Sequence, residues 1–127
     1  MSAKILVVDD SAIVRQMHAF MLRSAGFEVA EAENGAEALE AALAEKFDLI
    51  LTDINMPVMD GYELTRRLRQ MPQYATTPIV IVSTESEAQD KTLGFEAGAN
   101  LYIVKPAQRD QLVNNINLIL AAAGTSS

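Results

Sequence analysis

Asp9 and Asp10 follow the apolar run Ile5–Val8, and Asp53 follows Leu49–Thr52. Ser83 and Thr84 follow Ile79–Val82, and Lys105 with Pro106 follows Leu101–Val104. An acid at the margin of an apolar core is penalised unless something offsets its charge. Three carboxylates brought together would repel one another, and a divalent cation and a nearby lysine would relieve that repulsion. Carboxylates, a backbone carbonyl and water suit Mg²⁺ best, with Mn²⁺ a close substitute. Asp9, Asp10 and Asp53 supply the carboxylates, and the Asn55 carbonyl is a further oxygen close in sequence. An ionised carboxylate beside such a cation is also a nucleophile toward phosphorus, which would give an acyl phosphate. Lys105 would neutralise a second transferring oxygen and the Ser83 hydroxyl would donate to a third.

That chemistry requires one place where all these residues meet. The four runs are short, rich in Val, Ile and Leu, and bounded by turn residues, as parallel strands buried on both faces should be. A weaker alternating run, Val29–Ala32, is a fifth strand. Stretches of helical period separate them. The expected inward stripes are Ile13, Met17 and Met21 with Val14 and Phe20, then Ala36, Leu39 and Leu43, then Leu64, Leu68 and Met71. A thin stripe of Ala88, Thr92 and Phe95 marks a fourth helix around 86–97, and Leu112, Ile116, Ile119 and Ala123 mark the fifth. Met17 and Met21 read as core filler, and His18 as a partly exposed surface residue. Asn34-Gly35 and Asp60-Gly61 are the strongest turn signals. Strands alternating with helices mean an α/β domain with right-handed crossovers and a parallel sheet. In such sheets ligands bind beyond the carboxyl ends of the strands, where every strand but the second delivers a polar group here.

The combination of Asp9-Asp10 after strand one, D-x-N-M-P-x-M-D-G over 53–61, a hydroxyl after strand four and Lys105-Pro106 after strand five resembles the response-regulator receiver domain. The resemblance covers essentially the whole chain, with residues 1–124 as the domain and 125–127 as a C-terminal tail. It implies a CheY-like, flavodoxin-like three-layer fold with strand order 2-1-3-4-5, an order for which the chemotaxis member of this family is a known example. It further implies a signalling switch in which the phosphohistidine of a sensor histidine kinase donates its phosphoryl group to Asp53. Asp9, Asp10, Asp53 and the Asn55 carbonyl would hold Mg²⁺, Lys105 would pair with the phosphoryl oxygens, and the Lys105-Pro106 bond would be cis. Ser83 would move toward the phosphoryl group, Tyr102 would follow it inward, and the surface of helix four, strand five and helix five would change. A downstream protein such as a flagellar motor or relay component would read that surface, with a phosphatase as a further candidate partner.

Two positions depart from the family's commonest pattern. Ser83 stands where many relatives have Thr, and Thr84 where Ala or Gly is usual. Thr84 could crowd the phosphoryl site, or be the responding hydroxyl if strand four runs one residue further.

Composition narrows the rest. The chain has 127 residues, half of them hydrophobic, a formal charge of −7 and no cysteine. One domain is expected, without disulfides, thiol catalysis or cysteine-held metal. No apolar run approaches the roughly eighteen residues of a membrane span, and the start does not read as a signal peptide, so the expectation is a cytoplasmic monomer. The acidic balance disfavours nucleic acid. An aspartyl-phosphate phosphatase would want a second acid where Asn55 stands, and a flavin binder a glycine-rich phosphate loop where Asp9-Asp10-Ser11 stands. The residues 124–127 could instead begin a linker cut from a larger regulator, a hybrid kinase or a phosphorelay carrier.

Overall fold

The structure is a computed structural model, and it describes residues 2–124; the tail expected at 125–127 lies outside the described residues. The element order is β1 (Lys4–Val8), α1 (Ala12–Ser24), β2 (Glu28–Ala32), α2 (Gly35–Ala44), β3 (Leu49–Thr52), α3 (Gly61–Gln70), β4 (Ile79–Ser83), α4 (Ala88–Ala97), β5 (Leu101–Val104) and α5 (Arg109–Ala122), with one 3-10 turn at Pro72–Tyr74. The five strands form one sheet in the order β2-β1-β3-β4-β5, all neighbours parallel. This is the doubly wound α/β fold expected of the chain.

The strands alternate sides, as a period of two demands. Ile5, Val7, Leu49, Leu51, Val80, Val82 and Ile103 face one core with Leu22, Phe27, Leu112 and Ile116. Leu6, Val8, Ile50 and Ile79 face the other with Ala38, Ala42, Leu64, Leu68 and Tyr74. β3 and β4 are buried throughout because both faces are covered, so their sequences are continuous apolar runs. β2, at a sheet edge, is the alternating one. Among the described residues no helix is long and apolar enough to cross a membrane.

Helix starts follow local chemistry. Asn34 accepts from the Glu37 amide at 2.9 Å, and Asp60 from the Glu63 amide at 2.8 Å, so each satisfies an amide that the first turn leaves free.

Helix orientation corrects several expectations. On α1 the buried residues are Arg15, His18, Ala19 and Leu22. Ile13 and Phe20 are 77% and 73% exposed, and Met17 also lies outside; Met21 packs partly against the core. His18, expected at the surface, is 2% exposed. Both sets obey helical spacing, and the inner one is chosen by what it meets. Arg15 donates to the Asp9 carbonyl at 2.9 Å and to Glu31 at 3.1 Å, tying the end of β1 to β2. On α2 the inner residues are Gly35, Ala38 and Ala42, while Leu43 is exposed. Small side chains let that helix lie close to the sheet, which leucines would prevent. On α4, Gly94 and Ala97 point inward, whereas Ala88, Thr92 and Phe95 are exposed. α3 buries Leu64 and Leu68 as expected, and α5 buries Leu112 and Ile116, joined by Val113 and Leu120 in place of Ala123.

Between β3 and α3, Val58 has φ +71° and is 83% exposed. A β-branched residue in the left-handed region is strained by about 1–2 kcal/mol. Val58→Asn, which loses no packing there, should stabilise the chain by about 1 kcal/mol. Urea unfolding checks this, with a higher midpoint at unchanged slope expected.

Candidate functional site

Sheet register builds the site. Val8 lies level with Thr52, so Asp9 and Asp53 emerge side by side from β1 and β3. The ladder continues one residue further, with the Asp53 amide donating to the Val8 carbonyl at 2.9 Å and the Lys105 amide to the Ser83 carbonyl at 2.8 Å. Lys105 leaves the edge strand β5, and its ammonium reaches past β4 to both acids. It donates to Asp9 Oδ2 at 2.9 Å and to Asp53 Oδ2 at 3.1 Å. The other oxygens of the two acids accept backbone amides, from Ser11 at 3.0 Å and from Ile54 at 2.7 Å.

Asp9 and Asp53 are buried and Asp10 is exposed, yet one carboxylate oxygen from each lies within 4.8 Å of the other two. Burial pushes the Asp53 carboxyl above its ordinary range; the Ile54 amide and Lys105 oppose that, and Asp9 adds to it. Burial pulls Lys105 down, but its bonds to Asp9 and the charge of Asp53 outweigh this and leave it raised. Among the described residues three carboxylates therefore face the Lys105 ammonium, whose ion pairs take in Asp9 and Asp53 but not Asp10. The donor set is all oxygen and carries uncompensated negative charge, which fits a hard divalent cation.

The motif after Asp53 has steric reasons. A side-chain carbon on Gly61 would sit 2.0 Å from the Asp53 carbonyl oxygen, so the turn into α3 can only be glycine. The Gly61 amide donates to the Ile54 carbonyl at 2.8 Å, which fixes the backbone beside the acid. Met56 and Met59 pack partly against the core. Lys105-Pro106 is a cis peptide.

The two hydroxyls after strand four separate. β4 runs to Ser83, which is fully buried, while Thr84 is exposed and lines a cleft with Val14, Met17 and His18 on the α1 side. Ser83 Oγ accepts the Glu85 amide at 3.1 Å, and the Tyr102 hydroxyl donates to the Glu85 carbonyl at 2.7 Å. Glu85 also accepts, through its carboxylate, from the Asn55 side chain at 3.0 Å. Glu85 thus joins Ser83, Tyr102 and Asn55, a role no spacing pattern announced. A side-chain carbon on Gly94 would press on Ile81 and the Tyr102 ring, so that glycine seats the tyrosine.

Comparison with known proteins decides the family: the response regulator receiver domain matches residues 5–117. The chain belongs to the response regulator receiver domain family. The chemotaxis response regulator CheY4 of Vibrio cholerae is 41% identical, with TM-score 0.91 over 94% of this chain and 100% of that one. Protein PilH of Pseudomonas aeruginosa is 38% identical over 94% of this chain and 98% of its own length. The receiver domain of a P. aeruginosa sensor histidine kinase, whose structure has a magnesium ion coordinated in the active-site cleft, is 30% identical over 98% of this chain and 100% of that one, with TM-score 0.86. Other relatives are longer. The chain spans 53% of the mycobacterial transcriptional regulatory protein PrrA and 13% of a gliding motility regulatory protein of Myxococcus xanthus.

For this receiver domain the raised Asp53 carboxyl has a stability consequence with a definite sign. Where a carboxyl titrates higher folded than unfolded, the folded state binds more protons, so stability falls as pH rises through that interval. Metal-free Asp53→Asn should therefore gain on the wild type as pH rises through the carboxylate range, and hold its lead above it. Added Mg²⁺ should stabilise the wild type and close the gap. Urea midpoints across pH, with and without Mg²⁺, test this; a lead that is flat with pH would sink it.

Proposed function

We propose that this receiver domain accepts a phosphoryl group on Asp53 from the phosphohistidine of a sensor histidine kinase, and signals by changing what it binds. The observation that carries this reading is one lysine shared by Asp9 and Asp53 with Asp10 beside them. Receiver domains take phosphate from histidine kinases and act on downstream targets, as signalling switches rather than enzymes of turnover. Asp9, Asp10, Asp53 and the Asn55 carbonyl would hold Mg²⁺, with Mn²⁺ as substitute, and the cation would neutralise charge on a transferring oxygen. The magnesium-bound Pseudomonas receiver domain supports that assignment.

A carboxylate oxygen of Asp53 attacks phosphorus while the bond from phosphorus to the donor imidazole nitrogen breaks, and that nitrogen keeps the electron pair. Lys105, already on Asp53, shifts its donors to a phosphoryl oxygen. Ser83 turns its hydroxyl to another, releasing the Glu85 amide. The Glu85 segment then moves, and Tyr102, bound to the Glu85 carbonyl, moves with it. Thr84 lies outside that path because its side chain is on the α1 side, so Ser83 is the responding hydroxyl.

The partner surfaces are those of a protein binder. Ile13, Met17 and Phe20 expose an apolar stripe on α1 for a donor, and Leu93 and Phe95 are exposed on α4 for a target. The charge of −7 leaves nucleic acid and anionic membranes unfavourable and suits a cytoplasmic monomer. Full-length coverage of CheY4 and PilH supports a stand-alone, chemotaxis-type regulator. The match to half of PrrA keeps a second setting open, in which the same switch belongs to a larger regulator or relay.

Intact mass after incubation with Mg²⁺ and acetyl phosphate tests the acceptor. One phosphoryl adduct is expected, absent from Asp53→Ala and formed about a hundredfold more slowly by Lys105→Met. An adduct that persists in Asp53→Ala would overturn the reading.

A further inference from the structure

Asp10 is the exposed member of the three-carboxylate group, and among the described residues no ion pair holds it. The two buried acids are aimed by direct partners. Lys105 takes one oxygen of each, and the Ser11 and Ile54 amides take the others. Asp10 has to be aimed through its backbone, and the side chain that fixes that backbone is Arg15.

The Asp9 carbonyl belongs to the peptide that joins Asp9 to Asp10, and Arg15 Nη1 donates to it at 2.9 Å. On the near side the Asp9 amide donates to the Ala32 carbonyl at 3.1 Å. On the far side the Ser11 amide is bound to the Asp9 carboxylate, and the Ser11 hydroxyl accepts the Val14 amide at 3.3 Å. Arg15 is itself anchored, since its Nε donates to Glu31 on β2 at 3.1 Å and the residue is buried. A planar guanidinium serves two acceptors in fixed directions, which an ammonium on a flexible stem does not.

Stability alone is a weak reason to bury this charge. A buried ion pair is often no better than hydrocarbon of the same volume. α1 has hydrocarbon to spare, with Ile13 and Phe20 left outside. Nor does attraction for a cation explain it, because a guanidinium beside the acidic site repels a divalent ion. What it supplies is a fixed direction for the Asp9–Asp10 peptide.

We propose that Arg15 is a positioning residue for the cation site, its hold on the Asp9 carbonyl aiming the Asp10 carboxylate to share Mg²⁺ with Asp9 and Asp53. The inference rests on the Mg²⁺ assignment of the proposed function and involves no phosphoryl step.

The test is the Mg²⁺ affinity of the unphosphorylated chain, read from the amide resonances of residues 53–55 during titration at constant ionic strength. Arg15→Met should weaken binding about tenfold, as loss of an outer-shell partner does. Loss of a nearby cation would act the other way, so the sign separates positioning from charge. Arg15→Lys keeps the charge without the fork and should lose about threefold. In an Asp10→Asn background Arg15→Met should lose less than about twofold, because its route through Asp10 is gone. Equal or tighter binding by Arg15→Met would overturn the proposal, as would an undiminished loss beside Asp10→Asn. The dispersion of the same spectra shows whether a variant is folded. If Arg15→Met is not, unchanged affinity in Arg15→Lys overturns the proposal in its place. Wild-type protein without a saturable Mg²⁺ shift would overturn the cation assignment itself, and this inference with it.

Discussion

A single ammonium shared by two buried acids sets the terms for the rest of this structure. Asp53 is pushed toward its neutral form by burial, and Asp9 stands beside it with the same charge. Lys105 relieves both, but it starts from β5, two strands away from Asp53's own strand across the sheet order. It can span that distance only if the end of β4 stays low. Ser83, small and fully buried, leaves the crossing clear, and its hydroxyl is satisfied by the Glu85 amide. The remaining imbalance falls on Asp10, exposed and within reach of the other carboxylates. The lysine thus makes a metal-free fold possible without making a cation superfluous.

The same economy links the site to the surface. Glu85 has its amide on Ser83, its carbonyl on Tyr102 and its carboxylate on Asn55. One residue therefore holds three groups drawn from β4, β5 and the loop after β3. Any reorientation of Ser83 frees the amide of a residue whose carbonyl anchors a tyrosine on the edge strand. Ile54, Ile81 and Ala99, with the rings of Tyr62 and Tyr102 against them, form a small cluster separate from the two main cores. A shift confined to that cluster disturbs little of the fold, which suits a switch better than a rearrangement of the main core would.

What the sequence made legible divides along physical lines. Buried parallel strands are continuous apolar runs, so β1, β3 and β4 could be placed almost to the residue, as could the apolar edge strand β5, and with them the groups at their ends. Helix faces were another matter. On α1, 13, 17 and 20 are as regularly spaced as 15, 18, 19 and 22, and hydrophobicity alone favoured the wrong set. The inner set wins through Arg15, whose hydrogen bonds to the Asp9 carbonyl and Glu31 reward a charged side chain under the helix. On α2 Ala38 and Ala42 lie innermost, Leu39 packs partly against the same core, and Leu43 is left outside. Glu85 escaped notice because two of its three links use the backbone, and backbone links leave no mark on residue type.

These misreadings have a common origin in the site. An α/β sheet collects its polar groups at the carboxyl edge, and α1 begins there, directly after Asp9 and Asp10. Its first inward turn must therefore face carbonyl ends and acids instead of hydrocarbon, which explains Arg15 and, one turn on, His18. Because those positions are taken by polar residues, the apolar residues of α1 are left on the outer face, beside the mouth of the acidic site. An exposed apolar stripe on a chain with charge −7 would be a liability in isolation. On the proposed reading, in which a phosphodonor protein approaches Asp53, it would serve as contact area for that approach. The helix looks inverted only when judged as packing; judged from the sheet edge it serves, its orientation follows.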